Sequence, residues 1–168
     1  MAAERREHRV ALEVLYVVDV GKTPLEEALR QARDSIGVFN RGDEAQREDP
    51  YEPLYPAVES RGDAPRLTNW ELVEQLVRGT LKEQRVLRDE IEPRLQHWTF
   101  ERLSGIDRLI LEMATWELRY RADADTLDVI NHAVELAHRL STAQSGQFVN
   151  AVLDAVAKTP ARKPVERQ

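Results

Sequence analysis

The 168-residue sequence contains no cysteine, which excludes a disulfide framework, thiolate metal sites and cysteine nucleophiles. Its four histidines are scattered and offer little for a metal centre. Long apolar runs are also missing. The longest uncharged stretch, residues 140 to 153, carries Ser, Thr, Gln and Asn and falls short of the roughly 20 apolar residues a membrane helix needs. The N-terminus opens on Glu4, Arg5, Arg6 and Glu7, with no apolar h-region of a secretory signal. The expectation is a cytoplasmic chain with no membrane partner. Catalytic signatures are absent as well: there is no phosphate-binding loop, dinucleotide fingerprint, nucleophile elbow or H-E-x-x-H pair, so neither catalytic residues nor a cofactor are expected.

Hydrophobic residues make up 42% of the chain and charged residues 32%, enough for one core and a well-solvated surface. The net charge of -6 is uneven, since residues 36 to 67 are acidic and residues 158 to 168 are basic. That balance disfavours strong nonspecific duplex binding, so any nucleic-acid site must be local.

Helical periodicity runs through the sequence except at residues 37 to 67, where Pro50, Pro53, Pro56 and Pro65 stand among Gly42, Gly62 and seven acidic residues. That stretch reads as a long inserted acidic loop. Ahead of it, one helix is expected from about Ala3 to Asp19, and a second opens at Thr23 and Pro24, with Gly21 between them. After it, Thr68-x-x-Glu71 reads as a capping box that opens a helix through Trp70, Val73, Leu76, Val77 and Leu81, followed by a further helical stretch to about Leu95, with Pro93 either kinking it or beginning its last turn. Ser104-x-x-Asp107 is a further capping signal. The helix it opens is apolar over most of its circumference (Ile106, Leu109, Ile110, Met113, Ala114, Trp116, Leu118, Tyr120), leaving Arg108, Glu112, Thr115 and Arg119 as a narrow polar strip; such a helix must be central. Helices over about residues 126 to 140 and 145 to 157 complete an all-α chain without strand or hairpin signals.

Three groups of residues carry possible chemistry. His132, Glu135 and His138 share a helix, but His residues six apart are poorly placed to chelate one ion, so they read as a solvated polar face and no metal site is expected. Glu117 falls inside the central apolar stripe, where a carboxylate needs a partner or a shifted pKa. It could be a general acid or base, or it could form an internal ion pair. In the first helix, the spacing sets Arg5, Arg9 and Tyr16 on the face opposite Ala11, Val14, Leu15 and Val18. Two cations and an aromatic suit single-stranded RNA, by phosphate pairing and base stacking.

Several blocks resemble the NusB family. The stretch from Arg5 to Tyr16 (RREHRVALEVLY) looks like its arginine-rich helix. The blocks Ile106-Asp107-Arg108-Leu109-Ile110-Leu111 with Trp116-Glu117-Leu118, Val129-Ile130-Asn131 with Ala133-Val134-Glu135-Leu136-Ala137, and Phe148-Val149-Asn150 with Val152-Leu153-Asp154 keep the family's order and spacing. Trp98 and the Leu76-Val77-x-Gly79 block fit as well. The resemblance implies an all-α, NusB-like fold of about seven helices in two three-helix subdomains. Residues 1–157 would form this single domain, with 1–97 as the N-terminal subdomain containing the acidic insertion 37–67, and 98–157 as the C-terminal bundle. A basic tail, 158–168, follows.

The same resemblance implies a non-enzymatic antitermination factor. It would bind boxA-type single-stranded RNA together with the NusE-type small-subunit ribosomal protein, join the RNA polymerase elongation complex indirectly, and favour transcription of ribosomal RNA operons. By this similarity Arg5, Arg6, Arg9, Tyr16, Gln144, Gln147 and Phe148 would contact RNA, and Leu95, Glu101, Arg102 and Asp107 would lie on the partner side. The chain departs from the family pattern in having Gly146 and Gln147 where a His-Lys pair is frequent, His132 where Glu is usual, Ala151 where Gly is usual, and Gln144 at a commonly acidic position. The missing His-Lys pair and the net charge of -6 leave an alternative open, a protein-interaction or self-associating scaffold, including a homodimer, with weakened RNA recognition.

Overall fold

The computed structural model describes residues 4–39 and 69–160, and the described residues are helical without strands. Six α-helices follow in order: α1 (Arg5–Asp19), α2 (Leu25–Phe39), α3 (Trp70–Ile91), α4 (Gly105–Tyr120), α5 (Thr126–Leu140) and α6 (Ser145–Lys158), with 3₁₀ turns at Glu92–Arg94 and Phe100–Arg102. Residues 37–39, expected in the loop, belong to the last turn of α2. The rest of the acidic insertion and residues 161–168 of the basic tail lie outside the described residues. Lys158 closes α6 and pairs with Asp154 at 2.7 Å. The chain divides into two compact units, residues 1–77 and 78–168.

In the first unit α1 packs on α2. Ala11, Leu12, Val14 and Leu15 of α1, Ala28 and Leu29 of α2, and Leu72, Val73, Leu76 and Val77 of α3 are buried, each large side chain contributing about 1.5 to 3 kcal/mol of burial. Gly21 stands between α1 and α2, yet the left-handed residue there is Lys22, with φ 55°. Gly21 is needed for another reason: a Cβ on it would meet the Val17 carbonyl oxygen at 2.6 Å. At the start of α3 Asn69 Oδ1 accepts from the Leu72 N–H at 3.0 Å, and Thr68, expected to open this helix, lies outside the described residues. The Asn69 N–H in turn donates to Glu7 Oε1 at 3.0 Å, which gives a use to a carboxylate that α1 buries completely.

In the second unit α4, α5 and α6 pack against one another in all three pairings. The wide apolar arc of α4 requires this arrangement, and Leu109, Ile110, Leu111, Met113 and Ala114 are all buried. Its start is capped as the sequence indicates, Ser104 Oγ accepting from the Asp107 N–H at 3.1 Å. Asp125 caps α5 through bonds from the Leu127 and Asp128 N–H groups at 2.9 and 3.1 Å. The later turns of α3 lie along α4. Gly79 faces the Trp116 indole so closely that a Cβ there would overlap ring atoms, and the indole stacks on Tyr120 with centroids 5.9 Å apart.

The polar strip expected on α4 is not a solvent face. Glu112 and Thr115 are fully buried, whereas Tyr120, assigned to the apolar arc, is half exposed. Glu112 is tolerated inside because α3 supplies its partners: Arg88 Nε donates at 2.8 Å and Gln84 Nε2 at 2.9 Å, while the Arg88 guanidinium also lies over the Phe100 ring. Desolvation outweighs these bonds and pushes the Glu112 carboxyl above the ordinary carboxylate range. Arg119 is likewise internal, donating to Glu90 of α3 and, at 2.9 Å, to the Val156 carbonyl near the end of α6. Among the described residues no helix is long and apolar enough to cross a membrane.

Candidate nucleic-acid interface

On α1 the alignment of Arg5, Arg9 and Tyr16 holds only in part. Arg5 is exposed, Arg6 is intermediate and Tyr16 is 40% exposed, whereas Arg9 is only 4% exposed. Arg9 Nε pairs with Glu13 Oε1, one helical turn on, at 3.0 Å. The hundred-degree periodicity places Arg9 on the outer face, but it cannot see that α1 is buried around most of its first two turns, where Glu7 and His8 are also enclosed. The His8 ring is fixed to the helix start, Nδ1 lying 2.6 Å from the Glu4 carbonyl oxygen. Tyr16 is continuous with the exposed Val17 and Val20, so the end of α1 presents an aromatic and apolar surface.

In the second unit the other predicted RNA residues lie at the start of α6. Gln144 and Gln147 are exposed and Phe148 is half-buried. The first turn of α6 has no acidic residue and Gln144 makes no side-chain cap. Gly146 is buried, and the distal end of the His138 ring occupies the space a side chain there would take, with Cε1 at 2.5 Å and Cδ2 at 2.7 Å from a Cβ built on the glycine.

The turn leading into α6 is held from below by Asp107. Its Oδ2 accepts from Ser145 Oγ at 3.0 Å, and Ser145 Oγ accepts from the Thr142 N–H at 3.2 Å, with the Thr142 and Ser141 hydroxyls at 2.8 and 3.0 Å. Asp107 is therefore 8% exposed and engaged inside the unit, not standing on an outer face. Of the other residues expected on the partner side, Leu95 is buried and Glu101 and Arg102 are exposed. They flank Trp98, which is 54% exposed and follows His97, a residue in the left-handed region at φ 65°.

Glu117 has its ion pair: Arg121 Nη1 reaches its Oε1 at 2.6 Å, and the carboxylate is fully enclosed. The open choice between acid–base chemistry and an internal pair is thereby answered by geometry one turn away on the same chain. His132 is buried rather than solvated, and Glu135 pairs with Arg139 at 2.9 Å. Sequence reasoning missed the bonding of Glu7, Glu112 and Arg119. The available signal for Glu112 was Gln84 and Arg88, two long donors four residues apart on a helix expected to pack nearby.

The described residues form an all-helical fold that exposes Arg5 at the start of α1, Tyr16 near its end, and Gln144 and Gln147 at the start of α6, side chains of the kind a nucleic-acid-binding protein uses. The chain belongs to the NusB family, whose model matches residues 5–158. It is 33% identical over 156 residues, 93% of this chain and 89% of the relative, to the transcription antitermination protein NusB of Solibacter usitatus. In structure it is similar to T. maritima NusB, with a TM-score of 0.68 at 26% identity, covering 94% of this chain and 92% of the other. It shares its fold with the NusB-like chain of a crystal structure of antitermination factors NusB and NusE in complex with dsRNA, with a TM-score of 0.67 at 20% identity and coverage of 94% and 98%.

Proposed function

We propose that this protein is a transcription antitermination factor, an RNA-binding adapter without catalysis of its own. It binds boxA-type RNA together with the NusE-type small-subunit ribosomal protein, and the assembly acts on the RNA polymerase elongation complex. Membership of the family across residues 5–158, which includes both candidate RNA segments, carries this reading. Arg5 and Tyr16 on α1 supply a phosphate contact and a stacking surface, and Gln144, Gln147 and Phe148 at the start of α6 supply amides and an aromatic edge. Arg6 adds charge beside Arg5. Glu101, Arg102 and the exposed Trp98 offer the ribosomal protein a polar rim around an aromatic anchor, while Leu95 is buried near them in sequence and Asp107 holds the turn into α6 through Ser145.

One observation favours a second reading. Arg9 is enclosed and paired with Glu13, so fewer cations face a phosphate backbone than the arginine-rich sequence suggests, as a scaffold with weakened RNA recognition requires. A salt titration separates the two. With boxA RNA, Arg5→Ala is expected to weaken binding and to reduce the slope of log K against log salt by about 0.7, the value for one phosphate contact on a single strand. If Arg5→Ala bound RNA unchanged at every salt concentration, the assignment of α1 would be wrong.

A further inference from the structure

We propose that His138 is an RNA-contacting residue, its imidazole stacking on an unpaired base at the start of α6; this rests on the RNA-binding reading above. His138 lies in the last turn of α5 and is exposed. The distal end of its ring is seated on Gly146, in the second helical position of α6, where a Cβ would come within 2.4 to 2.7 Å of Nε2, Cε1 and Cδ2 and push the ring aside. Gly146 is thus a seat for an aromatic ring contributed by another helix. The ring is brought beside the exposed Gln144 and Gln147, whose amides can donate to and accept from a base edge.

The chemistry of the turn selects a base rather than a phosphate. The carboxylate of Asp107 lies beneath the turn, bonded to Ser145, and its negative charge opposes an anion at this helix start. A neutral base stacked on an aromatic ring meets no such opposition, and stacking is tolerant of sequence because every base has a π-face. Recognition at this position therefore comes from a ring on α5, with α6 supplying hydrogen-bonding amides.

The test uses the full chain in complex with the NusE-type protein and a fluorescent boxA RNA, with a scrambled RNA as control. His138→Ala is expected to weaken boxA binding by about fivefold or more, the lower end for one base–aromatic stack, while circular dichroism shows the helical fold retained. His138→Phe should restore affinity to within about twofold of the parent, and His138→Lys should not, since a stack rather than a charge is at stake. Gly146→Ala should weaken binding in the parent and add nothing in the His138→Ala background, because both remove the seated ring. Parent-like binding by His138→Ala, or rescue by Lys and not by Phe, would overturn the proposal. A parent complex that bound boxA and scrambled RNA equally would overturn the RNA-binding reading itself, and this inference with it.

Discussion

Replacing Gly79 with Ala sets two physical effects against each other. In a helix interior the change favours the folded state by about 1 kcal/mol through backbone entropy alone. At this position, however, the new Cβ would fall under 3.0 Å from Cε2, Cζ2 and Nε1 of Trp116, a separation that real Cβ atoms essentially never show. The indole must move by on the order of 1 Å to restore ordinary contact, at the roughly 1 to 3 kcal/mol typical of overpacking. Because Trp116 stacks on Tyr120, that movement also forfeits about 0.5 to 1.5 kcal/mol of ring contact. The net expectation is a destabilisation of about 1 to 3 kcal/mol. Urea unfolding followed by tryptophan fluorescence and by circular dichroism would measure it. Trp116→Leu should cost stability in the parent, yet the Gly79→Ala/Trp116→Leu pair should be more stable than the two single losses added together, by about 1 kcal/mol or more. A Gly79→Ala protein as stable as the parent or more so, or strict additivity in the pair, would refute the claim that Gly79 is there to admit the indole.

Other consequences are equally measurable. The Glu112 carboxyl is raised by burial, so it binds its proton more readily in the folded than in the unfolded chain. Its favourable contribution is therefore greatest below pH 4.5 and is lost as pH rises through the raised folded value. Arg88→Met, which strands the carboxylate inside, should cost about 1 to 3 kcal/mol at pH 7 and less at a lower pH, because the buried carboxyl takes up its proton more readily than a free one. An equal loss at both pH values in urea titrations would contradict this. Asp107→Ala should destabilise the α5–α6 turn by about 1 to 2 kcal/mol, and Ser145→Ala should add little on top of it, because the two share one bond; hydrogen exchange at the turn would report the loosening. Arg9→Ala should lower thermal stability, through the lost packing of a side chain that is 4% exposed, while Arg5→Ala should weaken RNA binding.

The helices and their ends were largely legible in the sequence because caps and periodicity are local signals. Ser104 with Asp107 marks the start of α4, and the expected span of α5 is the one observed. The extent of α4's apolar arc correctly indicated a helix with several neighbours. The errors fall where a polar residue's surroundings are supplied by another element. Glu112 counts as polar on a helical wheel, but Gln84 and Arg88 come from a helix whose register periodicity does not fix. Arg9 fails for the same reason, since a wheel assigns one inside face and α1 is enclosed over a wider arc near its start. At the candidate interface the sequence named the two segments, but not the seating of His138 on Gly146. A glycine in the first turn of a helix reads as an ordinary weak position until the ring that fills it is located in space.

The central claim, an adapter whose RNA recognition is built jointly with a ribosomal protein, is tested most directly by titrating boxA RNA and a scrambled control with this protein, alone and with the NusE-type protein, at two salt concentrations. The account predicts a preference for boxA that increases when the partner is added and an affinity that falls as salt rises. A stable complex of the two proteins that bound both RNAs equally and weakly would contradict it.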